Sequence, residues 1–519
     1  MELVDFERFV WRNDEKVPGR LYREAGGGEV IEDIWKLMKH GEQNLFLGVY
    51  ASLAPSVSLS QAELLAHTKS AWKSLRWEVP TIASSTAHIW HEGRAPTTFI
   101  TYDLAKNAED VNSWVDETVK IFPEYAGKTL DELRYDIGQE PIPANDLDRQ
   151  TFLYLVPFSA HKFGLLMHTA HTTFDGAGVK ILMTKLLGHL AQYATDAAAY
   201  KAEQAGVMRW GEEGANLLPI ITEVLKKREG RVIDDQGNVI REETAEEYRE
   251  GKEYFETLGD IMNGFGTGYP SFLPFDPATS KPKTRRVEHK FTAEESTKIQ
   301  EAGRIKGGLT ERLTVNHLVH AACCLLPIYD NPPAPDSDGL IFFFGLMDGR
   351  QRLDAPYRTS TGYPGYCLGV SALQIPVSTF HRHPPSDKKA LIIDFAKEVK
   401  REYAKQAAYP ALVAVQVQEG ELMLQAPPAP PFIGPQYGGD GKGAVYLRPE
   451  YEGKEGETVI DVDDFFVGLN KCDPGPFFRC TEWKGRIMLS VDYNEFAVEE
   501  KVMKGWLQQW VDLLLALTV

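Results

Sequence analysis

Imidazole and carboxylate side chains crowd the end of one apolar run, FGLLMHTAHTTFDGAG, which carries His168, His171, Asp175 and Gly176. These are the groups that bind metals or move protons near neutral pH. If the run is an extended strand, positions 168 and 171 differ by an odd number and point to opposite faces, which works against one metal collecting both. In a second reading His171 is a single catalytic histidine at the mouth of the strand. A short turn brings Asp175 back to fix the ring or its loop, while one ring nitrogen faces substrate as a general base. In a third, His171 is a core histidine and Asp175 the N-cap of the next helix. Spacing alone leaves the three open.

Other chemistries lose their usual support. The clusters GFGTGY, GGDGKG and DGAG satisfy neither GxGxxG nor GxxxxGK, and GVSAL around Ser371 ends in Leu373, so no GxSxG elbow exists. No nicotinamide, flavin or serine nucleophile is expected. Cysteines stand at 323, 324, 367, 472 and 480 with no CxxC pair, which offers neither a four-thiolate zinc site nor a dense disulfide framework and suits a reducing compartment.

The elements that must position the cluster read as strand, strand, loop, helix: TFLYLVPF at 151–158, FGLLMHTA at 163–170, HTTFDGAG, then VKILMTKLLGHLAQY. Upstream, Ser60 and Glu63 have capping-box spacing ahead of a helix whose Leu65, Thr68, Trp72 and Leu75 share a face. From 205 to 285 the pattern weakens into an acidic helical stretch (EETAEEYREGKEYFETL), a Gly/Pro/Phe-rich loop and the basic run KPKTRR. It restarts with a strand at VEHKFT, a helix over 293–306, a second helix holding Leu313, Leu318, Ala322 and Leu325, and the strand GLIFFFGLM. PPAPPFIGP at 427–435 and the Gly/acid-rich stretch 438–457 read as surface excursions. The strand GRIMLSVDY and a helix with Val502, Trp506, Trp510, Leu513 and Leu517 on one docked stripe close the chain. The expected division is an N-terminal domain over 1–210, a crossover over 211–285 and a C-terminal domain over 286–519.

The 519 residues include 56 Lys+Arg against 74 Asp+Glu, a formal charge of -18, so a nucleic-acid partner is not expected. The acidic start lacks the pattern of a signal peptide and no apolar stretch reaches membrane-spanning length, so the expectation is a cytoplasmic monomer.

HTTFDG at 171–176 resembles the HxxxDG motif of the CoA-dependent acyltransferase superfamily, which includes chloramphenicol acetyltransferase, BAHD acyltransferases and the condensation domains of peptide synthetases. MDGRQRL at 347–353 and GYPGY at 362–366 are similar to the BAHD elements DGRxRL and GYFGN; DDFFVG at 463–468 is a looser relative of DFGWG, and GRIMLSVDYN also fits. Ala170 stands where a second histidine is frequent, Tyr366 replaces the GYFGN asparagine, and the tryptophan of DFGWG is absent. The departures favour a divergent fungal branch, and length, DDFFVG and the DYNE segment are most similar to the trichothecene 15-O-acetyltransferases of filamentous fungi.

The resemblance implies an α/β fold of two chloramphenicol-acetyltransferase-like domains, mixed sheets flanked by helices, with an active-site tunnel between them. It implies that His171 takes the proton from a small-molecule alcohol, at the C-15 hydroxyl of a trichothecene, as that oxygen attacks the thioester of acetyl-CoA, with no metal and no covalent enzyme intermediate. Asp175 is then expected to pair with an arginine, Arg350 or in reserve Arg352, and Gly176 to stand where a Cβ would hinder the turn or crowd the substrate. Lys281, Lys283, Arg285 and Arg286, the densest basic run, could meet the CoA phosphates or form a solvated linker face. Two rivals remain: a condensation-type enzyme fed by a carrier-protein thioester, although no carrier domain is apparent, and a non-catalytic binding protein on the same fold.

Overall fold

A computed structural model describes residues 2–518 apart from 40, 139–141, 143–148, 234–238, 247–250, 266–282, 305–311 and 426–433. Its largest sheet has six strands in the order Glu450–Glu452, Thr458–Leu469, Leu45–Leu53, Lys162–Thr169, Thr151–Pro157, Val119–Ile121. Neighbours are antiparallel except the last pair. Leu45–Leu53 and Lys162–Thr169 are apolar along both faces because both faces are covered. The helices Gln61–Glu78 and Gly176–Val207 pack on one side, where Trp72, Leu75, Leu182 and Leu186 join the main core. On the other side Leu130 and Leu133 of the helix Leu130–Ile137 meet Phe46, Leu166 and Phe466.

Local signals in the sequence explain the element ends. Ser60 accepts the Glu63 N–H while Glu63 accepts the Ser60 N–H, so the capping box is formed in full. Thr68, Trp72 and Leu75 are buried as their spacing predicts, with Leu64 rather than Leu65 as the fully covered leucine. Trp506, Trp510, Leu513 and Leu517 of the closing stripe are likewise buried.

A second body of structure is built on the sheet Thr284–Lys290, Arg486–Asn494, Phe477–Trp483, Gln436–Lys442 and on the pair Leu340–Asp348 with Leu368–Pro376. The helices Val315–Asp330, Lys388–Ala408 and Glu500–Leu515 share its core. Thr458–Leu469 lies late in the chain yet pairs with Leu45–Leu53 in the first sheet. The two halves are therefore joined by backbone hydrogen bonds as well as by side chains. A further four-stranded sheet, Arg12–Asn13, Arg20–Glu24, Arg94–Asp103, Ser85–His91, was not foreseen from the apolar pattern.

Two readings of the sequence are corrected. The acidic stretch at 242–258 is not one helix: Val239–Glu246 is a strand paired with Lys227–Ile233, and among the described residues of the stretch the helix is Lys252–Gly264. The antiparallel pairing of the two strands satisfies backbone groups that helix propensity alone would have paired locally. The stretch 438–457 is not a surface excursion either. Gln436–Lys442 runs parallel to Phe477–Trp483, and Glu450–Glu452 is an edge strand of the first sheet. Glycine is needed there for close approach, since a Cβ on Gly439 would sit 2.0 Å from Asn316 Oδ1. Of the run 427–435, residues 427–433 lie outside the described residues. Among the described residues no helix is long and apolar enough to cross a membrane.

Candidate active site

The strand Lys162–Thr169 ends just before the HTTFDG loop, and the next helix starts at Gly176 with Asp175 as its N-cap. The loop is held from both sides. Thr172 donates to Asp33 Oδ1 at 3.2 Å, and Asp33 also takes Lys36 Nζ at 2.7 Å, Thr98 Oγ1 at 3.0 Å and His88 Nε2 at 2.6 Å. Burial alone would raise the Asp33 pKa, but Lys36 and His88 overcome it and hold the carboxylate well below its usual range. On the opposite side the GYPGY segment runs against the loop, with a bridge between Phe174 and Gly365 and a Tyr366 N–H to Thr173 O bond of 3.0 Å.

Asp175 is both cap and ion-pair partner. Its Oδ1 accepts the Gly178 N–H at 2.7 Å, as an N-cap should. The same carboxylate meets Arg350 in fork geometry, Nη2 to Oδ1 at 2.8 Å and Nη1 to Oδ2 at 3.0 Å, and also accepts the Cys367 N–H at 2.8 Å. Arg350 spends its remaining donors on Tyr363 O, Gly365 O and Asp348 Oδ1. Both partners are buried, so the pair is desolvated and also saturated with hydrogen bonds, which is the condition under which such a pair is tolerated. One carboxylate thereby ties the first half of the chain to two segments of the second.

His171 is 7% exposed, and its Nδ1 is buried with no hydrogen bond to another residue. The residue lines a cavity of about 200 Å³. Burial lowers the imidazole pKa to about 4 against the opposing pull of Asp175, with Arg479 adding to the lowering, so the ring is neutral at physiological pH. Tyr366 stands beside it with ring centroids 5.6 Å apart. Trp35, Phe344, Leu346 and Met423 give the cavity apolar wall.

Charge is concentrated on another part of that wall. Arg479 Nη1 meets both oxygens of Asp440 at 3.1 Å, and Lys180 Nζ lies 3.6 Å from the same carboxylate. Two cations share one anion, and burial lowers the Lys180 pKa. Glu32 and Glu419 also line the cavity, and burial pushes the Glu419 carboxyl up to about 8. The five cysteines are free and none lines the cavity; burial holds the Cys367 thiol well above its usual pKa. A neutral histidine, apolar wall and nearby positive charge together suit proton removal beside a centre that gains negative charge.

Residues 3–411 match the profile of a family described as 15-O-acetyltransferase Tri3. The chain belongs to that family. Trichothecene O-acetyltransferase TRI3 of Trichoderma arundinaceum is 23% identical to it over 517 residues, covering 94% of this chain and 93% of that protein. The solved TRI3 trichothecene 15-O-acetyltransferase of Fusarium sporotrichioides superposes with a TM-score of 0.81 at 19% identity, covering 100% of this chain and 99% of that one. The condensation domain of Monacolin K polyketide synthase MokA shares the fold at a TM-score of 0.58 and 12% identity, over 96% and 97% of the two chains. The mixed α/β architecture expected of a CoA-dependent acyltransferase is thus the architecture found.

Within this Tri3-family chain the residues singled out by sequence take the following places. Arg350 is the partner of Asp175, whereas Arg352 donates to the carbonyls of Ala407, Tyr409 and Pro410 at the end of the helix Lys388–Ala408. Gly176 lines the cavity, but a Cβ there would meet nothing within 4 Å, so the turn itself does not require it. The close approach falls at Gly178, whose Cβ would stand 1.9 Å from Pro364 O. His168 stacks on Phe46 with centroids 4.1 Å apart, its Nε2 buried without a partner. Lys283 Nζ lies over the Tyr135 ring, Arg285 pairs with Glu495, and Arg286 is buried against Glu288. None of these three lines the cavity, and Lys281 lies outside the described residues. Among the described residues no group of three His, Cys, Asp or Glu is placed to hold a metal ion.

Sequence reading missed Glu32, Asp33, Lys180, Glu419, Asp440 and Arg479. The one available signal was Tyr366, the departure from GYFGN, which stands against the catalytic candidate.

Proposed function

We propose that this Tri3-family chain moves the acetyl group of acetyl-CoA to a hydroxyl of a trichothecene sesquiterpenoid, at C-15, with His171 as general base and Asp175 and Arg350 holding its loop. The names of the relatives support the substrate, and one observation carries the chemistry: the His171 ring is neutral and lines a cavity to which both halves of the chain contribute. Nε2 accepts the hydroxyl proton as the alcohol oxygen bonds to the thioester carbon. The tetrahedral intermediate then collapses, the C–S bond breaks and the imidazolium returns the proton to the CoA thiolate. The ring is unprotonated before the first step, and the imidazolium is a strong acid toward a thiolate in the last. The positive excess of Lys180 and Arg479 over Asp440 favours the charge that develops on the carbonyl oxygen or the sulfur. Free thiols throughout the chain support a cytoplasmic site of action, and a cavity lined by residues of one chain supports a monomer.

The test is acetyl transfer from free acetyl-CoA to a trichothecene bearing a C-15 hydroxyl, read by mass spectrometry. His171→Ala is expected to lower turnover by about two to four decades with the fold intact, the scale of a lost general base. His168→Ala is expected to matter far less. Activity only with a carrier-bound thioester would assign a condensation-type enzyme, and binding without turnover a non-catalytic one.

A further inference from the structure

The cavity wall carries its cations and one of its acids on different elements. Lys180, Asp440 and Arg479 come from the helix Gly176–Val207 and the strands Gln436–Lys442 and Phe477–Trp483. Glu419 comes instead from the helix Gln416–Gln425, which packs against the helix Gly28–Met38. Glycines permit that approach: a Cβ on Gly420 would stand 3.0 Å from Gly27 Cα, and one on Gly28 would fall 2.1 Å from the Tyr366 ring. Glu419 is 3% exposed and has no ion pair among the described residues. Gln416 Nε2 donates to its Oε2 at 2.8 Å, and the same amide reaches Leu412 O at 2.9 Å and Val370 O at 3.3 Å. Oε1 has no hydrogen bond among the described residues. Met423, one turn further along the helix, and Val370 make the adjoining wall apolar. A carboxyl group set there without a cation is costly, and packing alone does not account for the unused oxygen.

We propose that Glu419 is a specificity residue for the acceptor: its Oε1 donates a hydrogen bond to an oxygen of the bound alcohol other than the hydroxyl that is acetylated. The inference rests on the proposed function, in which the acceptor is a neutral, largely hydrocarbon alcohol that carries further oxygens. Burial, partly offset by the Gln416 hydrogen bond, pushes the Glu419 carboxyl up to about 8, so at neutral pH the group is mainly protonated and offers one O–H. With Oε2 accepting from Gln416, that hydrogen is on Oε1. A neutral acid meets a neutral acceptor with no charge to desolvate, whereas an anionic donor is favoured on the wall that holds Lys180 and Arg479. Tyr366 ties the acid to the reacting centre. Its ring is 5.6 Å from that of His171, and burial, then the charges of Glu32, Asp175, Glu419 and Glu29, hold its hydroxyl well above the usual pKa. Glu419 and His171 thus flank one tyrosine. A molecule spanning that ring can give one oxygen to Glu419 and present its hydroxyl to His171, which fixes the hydroxyl that reacts.

The test compares Glu419→Leu, which removes both oxygens, with Glu419→Gln, which keeps a donor and an acceptor. Leucine leaves Gln416 its two carbonyl partners, so the fold should persist. Thermal melts check this, and Glu419→Met replaces the Leu variant if that one does not fold. Each protein is measured with a trichothecene bearing a C-15 hydroxyl and with a cyclic hydrocarbon alcohol that has no other oxygen, by KM or, where the compound is not turned over, by its inhibition constant. We expect Glu419→Leu to raise the trichothecene KM roughly 10- to 100-fold, the size of one lost hydrogen bond to a buried group, while the values for acetyl-CoA and the plain alcohol stay within about threefold of the parent. Glu419→Gln should stay within about threefold throughout. An unchanged trichothecene KM in the Leu variant, a rise shared equally by the plain alcohol or by acetyl-CoA, or a Gln variant as impaired as the Leu one overturns the inference. Absence of acetyl transfer to the trichothecene by the parent enzyme would instead overturn the proposed function itself, so the two failures are distinct.

Discussion

Asp175 and Arg350 are 175 positions apart in sequence and meet through both carboxylate oxygens, at 2.8 and 3.0 Å, in a site that water does not reach. The same Asp175 caps the helix that follows the HTTFDG loop, so the pairing and the capping readings of this residue are both realised.

Asp175→Asn separates the two roles. Asn caps a helix about as well as Asp, so any loss reflects the unpaired guanidinium, which in a buried pair costs on the order of 3 to 5 kcal/mol. Thermal melts should show this loss, and activity should fall further as the loop turns His171 away. Adding Arg350→Met should destabilise less than the sum of the single changes. Additive effects in that cycle would mean that the two residues do not interact.

Acid should weaken the fold earlier than its carboxylates alone would dictate. Burial lowers the pKa of His168 and His320 to about 3 and of His171 to about 4. In the unfolded chain these rings take up protons below about 6.5; in the folded one they stay neutral. Their contribution is therefore complete above pH 6.5 and is lost as pH falls from there through 4 to 3, at up to about 1.4 kcal/mol for each unit of difference. Denaturation measured against pH should steepen below 6.5, and His168→Leu, which keeps the contact with Phe46, should flatten the curve. By the same shift, kcat/KM should stay level from neutrality down to about pH 5.

Two glycines separated by one residue should respond in opposite ways to alanine. At Gly178 the added methyl would overlap Pro364 O, a backbone atom in the seam between HTTFDG and GYPGY, and a loss of about 1 to 3 kcal/mol is expected. At Gly176 the methyl meets open space inside the cavity. Stability should stay within about 0.5 kcal/mol there, with the change appearing in KM. Melts and steady-state kinetics of the two variants check both expectations.

No acetyl-enzyme should accumulate. Direct transfer with His171 as general base requires acetyl-CoA and acceptor to be bound together, so kinetics should be sequential. Intact-mass spectrometry after acetyl-CoA alone is the measurement, and a stable gain of one acetyl group at a cavity residue would contradict direct transfer.

The HTTFDG loop was legible because its signals are local: an apolar strand, an N-capping residue and an apolar helix follow one another without interruption. Arg350 could be named from DGRQR only with the help of resemblance, since nothing in the residues themselves brings position 350 to position 175. The other wall of the site was hidden by its own chemistry. The helix Gly28–Met38 buries Glu29, Glu32, Asp33 and Lys36, so its inward face is polar, and a search for apolar periodicity passes over it. Asp440 sits in a glycine- and acid-rich stretch that has the composition of a surface loop, yet it faces Arg479 and Lys180 inside the protein. Lys180 lies in the apolar run of its helix and reads as a solvated lysine. In each case the partner that makes burial tolerable is remote in sequence.

The pairing of Thr458–Leu469 with Leu45–Leu53 sets the order in which the protein can be made. Leu45–Leu53 leaves the ribosome early, but one of its hydrogen-bonding edges stays bare until residues 458 to 469 follow. At ordinary rates of synthesis that interval is on the order of half a minute. A bare apolar edge is a template for pairing with other chains, so the nascent protein needs shielding for most of its translation. A stop codon placed before residue 458 should therefore yield an aggregating fragment rather than a shorter enzyme.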